Sequence, residues 1–185
     1  MSDIFPRTLV VNKEEKHKKD VRLLDGDVTA YGIFRRDTGK IADIVKFAED
    51  GTKTVLAEIE WLGDKKDRIR FPGGEWQRME DAWDHYRITR DREHYLSSFT
   101  GADGLKYVWY LQGHIKVLSV GAKGGPLMAK YVGNKKAGAL DLKNAADYAG
   151  DMLYITFLVA EAYKGRPRSG WFTSIGASGM LGWSI

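Results

Sequence analysis

The sequence predicts a mainly β protein, an antiparallel meandering β-barrel of about 10–12 strands that encloses one hydrophobic C-terminal helix. Two observations support this fold class. Short runs rich in β-branched and aromatic residues alternate with tight-turn signals along most of the chain. The one long apolar run, residues 151–164, is apolar on nearly every side, so it needs a surface that surrounds it.

Length and composition limit the classes of protein to consider. The 185 residues suffice for one domain, predicted here as 1–168, followed by a Gly/Ser-rich apolar tail at 169–185. The absence of cysteine excludes disulfides and thiolate metal sites. The start of the chain lacks the pattern of a secretory signal, so a cytoplasmic location is expected. The net charge of +4 is spread along the chain, so no nucleic-acid partner is expected.

The amino-terminal half contains strands and turns in close succession. Asp50-Gly51 and Pro72-Gly73-Gly74 are hairpin signals. The charged run 13–20 is predicted to be an exposed loop or one helical turn, and 80–91 an irregular loop with a helical turn at 79–83. The predicted strands are 7–11, 28–34, 41–47, 53–61, 67–71 and 75–79.

The carboxy-terminal half continues this pattern and then changes to a helix. Two further hairpins pair 95–100 with 106–112 and 115–120 with 127–132, and 139–142 is a short last strand. Gly150-Asp151 provides a helix start, and Gly165 followed by Pro167 provides a stop. The predicted helix is therefore 151–164.

The length of this helix favours burial inside the protein. At about 1.5 Å per residue it is roughly 20 Å long, too short to cross a hydrocarbon core of about 30 Å. Packing on a single sheet would leave Leu153 or Phe157 in water, because Ile155 and Val159 occupy the other side. A barrel of about eight strands is filled by its own side chains, whereas about eleven strands can hold a central helix.

One polar seam interrupts the apolar helix. Tyr154 and Glu161 project within about 20° of each other at 3.6 residues per turn. A carboxylate in that position must reach solvent, pair with a cation such as Arg, or shift its pKa upward. If the barrel has a cavity, Glu161 is the candidate acid or base and Tyr154 its hydrogen-bond donor. The alternative is that Glu161 emerges at the barrel mouth.

The irregular loop and the tail carry the other candidate residues. Asp84, His85 and His94 could form an acid–base pair, but their spacing matches no zinc motif, so no metal and no cofactor is expected. In the tail, aromatic residues beside cations suit a membrane interface. The alternatives are a further strand packed on the barrel or a contact between copies of the chain. The tail candidates are Lys164, Arg166, Arg168, Trp171 and Phe172.

Several stretches together resemble an uncharacterised domain family of mushroom-forming fungi. They are Ala57-Glu58-Ile59-Glu60-Trp61, Asp67-Arg68-Ile69-Arg70-Phe71, Gly104-Leu105-Lys106-Tyr107-Val108-Trp109 and the apolar helix, and the resemblance covers 28–164. In order and architecture that family is similar to the tubby, LURP-one and phospholipid-scramblase group, whose barrel encloses a hydrophobic helix. The resemblance implies the same enclosure here and a role at lipids, although no lipid-contacting residue of that group maps onto this chain. The apolar tail departs from the family pattern.

Three functions remain open at this point. The leading hypothesis is a non-enzymatic binding module for an anionic membrane lipid or a small apolar ligand. The alternative is a cofactor-independent lyase or isomerase that uses His, Glu or Tyr side chains in a barrel-mouth pocket. The third is a self-associating structural protein, with an oligomer formed through the tail.

Overall fold

The computed structural model describes residues 5–13, 20–36, 39–62, 66–83, 85–87, 96–134 and 136–163. Within them lie thirteen strands, a short helix α1 (Met79–Ala82), a 3₁₀ helix (Asn144–Ala149) and the helix α2 (Asp151–Tyr163). The strands are β1 (Arg7–Lys13), β2 (Val21–Asp25), β3 (Val28–Arg35), β4 (Ile41–Phe47), β5 (Lys53–Glu60), β6 (Arg68–Arg70), β7 (Gln77–Arg78), β8 (His85–Arg87), β9 (Leu96–Thr100), β10 (Lys106–Gln112), β11 (Ile115–Val120), β12 (Leu127–Gly133) and β13 (Ala137–Leu142).

All thirteen strands form one antiparallel sheet. Its order is β7-β6-β5-β4-β3-β2-β1-β13-β12-β11-β10-β9-β8. Most neighbours are consecutive in the chain because tight turns join them. The exception is the pairing of β1 with β13, where Arg7 lies opposite Leu142. This single long-range pairing joins the two halves of the meander into a continuous sheet.

The two edge strands, β7 and β8, are not hydrogen-bonded to each other within the described residues, so hydrogen bonds do not close the sheet there. Twelve antiparallel pairings separate them, and an even number of reversals leaves both edges running in the same direction. In the chain they are separated only by α1 and two further residues. They are therefore two halves of one pass along the sheet, which makes twelve passes in all.

The core lies on the inner face of the sheet, around α2. Every residue of α2 from Leu153 to Ala162 is buried, so the helix is covered around its whole circumference, as the sequence predicts. Trp109 on β10 donates its indole N–H to the Thr156 hydroxyl at 3.1 Å. Phe157 contacts the Trp109 and Tyr131 rings, with centroids 5.7 and 5.0 Å away. Neither α1 nor α2, in the described part of the chain, has the length and hydropathy needed to cross a membrane.

Three elements were not predicted: β2, β8 and the 3₁₀ helix. The β2 sequence, Val-Arg-Leu-Leu-Asp, has two adjacent leucines, which interrupt the apolar–polar alternation by which a strand is recognised. β8 lies within 80–91, predicted to be an irregular loop, and its three residues are too few to show an alternation. The six residues of the 3₁₀ helix are too few to show a helical period. The predicted helical turn at 79–83 corresponds to α1, and the predicted start of α2 at Asp151 is confirmed.

Candidate functional site

Near its C-terminal end, α2 carries a buried charged group that we call the Glu161 cluster, made of Glu161, Lys13, Lys116 and Tyr131. The Glu161 side chain is 0% exposed, and each of its carboxylate oxygens accepts a hydrogen bond from a different lysine. Lys13 Nζ lies 2.6 Å from Oε2, and Lys116 Nζ contacts Oε1. Such pairing offsets the cost of burying the carboxylate. Of the outcomes left open by the sequence, the structure shows the cationic partner, here two lysines, and the Glu161 side chain does not emerge into solvent.

Lys13 extends the Glu161 cluster to the end of the sheet. Its ammonium group also donates to Tyr131 Oη and to the Asn134 carbonyl, both at 2.9 Å. Burial lowers the pKa of Lys13, but the charge and hydrogen bond of Glu161 outweigh this and raise it overall. Burial raises the pKa of Tyr131. A Cβ atom at Gly138 would lie 2.5 Å from the Tyr131 ring, so the missing side chain makes room for this ring.

At its N-terminal end, α2 carries a second polar group, the Tyr154 cluster, made of Tyr154, Tyr31, Asp151 and Lys46. The two tyrosine rings stack with centroids 3.9 Å apart. Tyr31 Oη and Lys46 Nζ each donate to Asp151 Oδ1 at 3.0 Å. Burial raises the pKa of Tyr154 to about 12. Lys46 and Asp151 are 46% and 37% exposed, so the ion pair of this cluster is open to water, whereas its two tyrosines are buried.

The structure does not bring Tyr154 and Glu161 together. They share one side of α2 but lie seven residues apart, which is about 10 Å along the helix axis. Their contacts are also different, since Glu161 accepts hydrogen bonds from two lysines and the Tyr154 ring stacks on Tyr31. The structure therefore places the two side chains in separate clusters, and an acid-and-donor role for them stays a prediction.

An apolar groove opens where the sheet is split between β7 and β8. Its volume is about 340 Å³, at the small end of the range for ligand pockets. Side chains at the ends of β6 and β9 form its sides, and Met152, at the start of α2, also lines it. The lining residues are Phe71, Ala82, Trp83, Phe99, Thr100 and Met152.

The remaining sequence-predicted candidates are only partly covered by the structure. The backbone of His85 lies in β8, paired with Ser98. Asp84 and His94 lie outside the described residues, as do the tail candidates, Lys164, Arg166, Arg168, Trp171 and Phe172. In the parts of the chain that are described, no group of three His, Asp or Glu side chains is arranged to hold a metal ion.

Comparison with known proteins places the chain in a family. A family of unknown function (DUF6593) matches residues 18–164. The chain belongs to this family. The match is consistent with the uncharacterised domain family that the sequence resembles. No curated protein and no solved structure is significantly similar to the chain.

Proposed function

We propose that this protein is a non-enzymatic binding module whose groove at the split of the sheet holds the apolar part of a ligand. The observation that carries the proposal is the groove itself, in which five of the six lining side chains are apolar. Apolar pockets with few polar groups are the usual form of small-molecule sites. The part of the ligand that occupies the groove is an apolar chain, which both free small molecules and membrane lipids can carry.

The proposal includes a barrel of the kind found in the tubby, LURP-one and scramblase group. The joining of β1 to β13 and the burial of α2 on every side support it. The single pass through β7, α1 and β8 also supports it, because β7 pairs with β6 on one side and β8 with β9 on the other. In this arrangement the chain itself crosses the gap, and the groove is a window in the barrel wall that reaches the enclosed helix.

The alternative of an acid–base enzyme has less support. Both carboxylate oxygens of Glu161 accept hydrogen bonds from lysines, and the side chain is 0% exposed, so a substrate would have to displace these bonds to reach it. Neither Glu161 nor Tyr154 lines the groove. A general acid or base must lie within hydrogen-bonding reach of its substrate, and the groove offers the hydroxyl of Thr100 as its one polar side chain other than the Trp83 indole.

Binding of decanol, a neutral ten-carbon alcohol, tests the groove by titration calorimetry. Ala82→Phe places a ring in the groove, and we expect it to weaken decanol binding at least about tenfold, or 1.4 kcal/mol. The matched control is Ala137→Phe, at an exposed position of β13 where an aromatic residue suits a strand. Undetectable binding to the wild-type protein, or equal affinity in the two variants, would overturn the proposal.

Vesicle co-sedimentation distinguishes the two sources of an apolar chain. Phosphatidylcholine vesicles with and without phosphatidylserine are mixed with the wild-type protein and with Ala82→Phe. A bilayer ligand predicts sedimentation of the wild type that Ala82→Phe reduces. Decanol binding without sedimentation assigns the groove to a free small molecule, whereas sedimentation that Ala82→Phe leaves unchanged, without decanol binding, rules out the groove.

A further inference from the structure

The segments that form the groove carry charge of one sign. They are the β6–β7 turn 71–76, α1 with Trp83, the end of β9 with its turn 99–105, and the 3₁₀ helix with the start of α2, 144–152. Together these segments contain no Lys or Arg. They contain six acidic residues: Glu75, Glu80, Asp81, Asp103, Asp147 and Asp151.

Basic neighbours neutralise half of these acids. Glu80, Asp147 and Asp151 form ion pairs with Arg78 at 2.6 Å, Arg7 at 3.7 Å and Lys46 at 3.0 Å respectively. The other three acids are exposed, and within the described residues no basic side chain forms an ion pair with them. They are Glu75, Asp81 and Asp103. One exposed lysine, Lys106, lies opposite Thr100 of the groove. Three unpaired acids against this one cation leave an excess of negative charge around the described part of the groove.

We infer that the groove binds a positively charged amphiphile, with the apolar chain in the groove and the cationic head at its acidic rim. This inference rests on the proposed function and names the ligand class. Opposite charges at a partly solvated rim attract within a Debye length of about 8–10 Å, whereas an anionic head would be repelled. An anionic lipid surface is accordingly a poor partner for this end of the molecule.

Three ten-carbon ligands test the inference by calorimetry at low salt and below their micelle concentrations. They are decyltrimethylammonium, decanol and decanoate, which differ only in head group and charge. We expect decyltrimethylammonium to bind about tenfold more tightly than decanoate, with decanol between them, and the difference to shrink in high salt. Equal affinities, or tighter binding of decanoate, would overturn the inference while leaving the groove as a binding site. Failure of all three to bind would instead overturn the proposed function and this inference with it.

Charge reversal provides the matched comparison. Glu75→Lys changes the turn that follows Phe71, at the rim of the groove. Asp27→Lys makes the same change in the β2–β3 turn, which lies far from the groove in the strand order. We expect Glu75→Lys to reduce the preference for decyltrimethylammonium over decanoate several-fold and Asp27→Lys to preserve it. The same loss of preference in both variants would show that the whole molecule's charge, not the rim, selects the ligand.

Discussion

The two ends of α2 use polar side chains in different ways. At the C-terminal end, the Glu161 carboxylate is fully buried and held by Lys13 and Lys116. At the N-terminal end, Asp151 and Lys46 pair at the surface, and Met152 lines the apolar groove beside them. One end is a closed ionic group, and the other combines exposed charge with an accessible apolar surface.

This difference indicates where a ligand can bind. Both carboxylate oxygens of Glu161 already bond to the protein's own cations, and a buried pair must stay intact because an isolated buried charge is costly. The open end carries no such constraint. A ligand there needs only to displace water from the groove, so the comparison favours binding at the start of the helix and a structural role at its end.

The largest expected effect comes from breaking the closed end. Glu161→Ala leaves Lys116, whose side chain is 3% exposed, without its carboxylate partner. We expect the free energy of unfolding to fall by about 3–5 kcal/mol, the usual cost of removing one member of a buried ion pair. Chemical denaturation monitored by circular dichroism measures this change.

Two further variants show whether burial is the cause. Glu58→Ala removes a carboxylate that pairs with Arg36 and Arg70 but is 18% exposed, and it should cost about 1 kcal/mol or less. The double variant Glu161→Leu with Lys116→Met replaces the two most buried charges by apolar groups, while Lys13, which is 15% exposed, keeps its hydrogen bonds to Tyr131 and Asn134. It should therefore recover much of the loss. Equal losses of unfolding free energy for Glu161→Ala and Glu58→Ala would show that burial does not determine the cost of removing the carboxylate.

Much of the fold follows from local sequence signals. The strands 41–47, 106–112 and 115–120 match the predicted bounds, because Gly-containing turns separate alternating runs. The enclosure of α2 followed from its uniform apolarity. The split between β7 and β8 could not be predicted. These two strands are neighbours in the chain but lie at opposite edges of the sheet, and no local sequence signal shows this.

The Glu161 cluster was only half predictable. From the sequence, a carboxylate in an apolar helix had to reach solvent, pair with a cation or shift its pKa upward, and a cationic partner was one of these outcomes. Its partners were not predictable, because Lys13 is 148 residues away in sequence and β11 has apolar residues on both faces. Lys116 points inward only because its register places it opposite Tyr131, and a one-residue shift would turn it to solvent.

Alkaline pH should affect the open end through Tyr154. Its pKa is about 12 in the folded protein and about 10 when unfolded, so above pH 10 the unfolded state binds fewer protons and stability falls as pH rises. We expect Tyr154→Phe to make this decline between pH 10 and 12 less steep. Tyr148→Phe, at a 67% exposed position, should leave the decline unchanged. Unfolding free energies measured across this range distinguish the two variants, and parallel pH profiles for the wild type and Tyr154→Phe would contradict the assignment.

The middle of α2 provides a test that is independent of both ends. Thr156→Val keeps the shape of the side chain but removes the acceptor of the buried Trp109 N–H. Because an unsatisfied buried donor costs about 1–3 kcal/mol, we expect a loss in that range, with a change in near-ultraviolet circular dichroism. A loss below about 0.5 kcal/mol, less than a typical hydrogen bond contributes, would show that the indole finds another acceptor.

The smallest expected effect concerns the hydrogen bond at the open end. Tyr31→Phe keeps the ring that stacks on Tyr154 but removes the hydroxyl that donates to Asp151. Lys46 still pairs with Asp151 in this variant, and water can reach the carboxylate, so the expected loss is about 0.5–1.5 kcal/mol. Urea denaturation measures it against Tyr31→Leu, which also removes the ring and should cost more. If Tyr31→Phe lowers the free energy of unfolding as much as Glu161→Ala does, the start of α2 is as closed as its end. The groove beside Met152 would then not be the more accessible site.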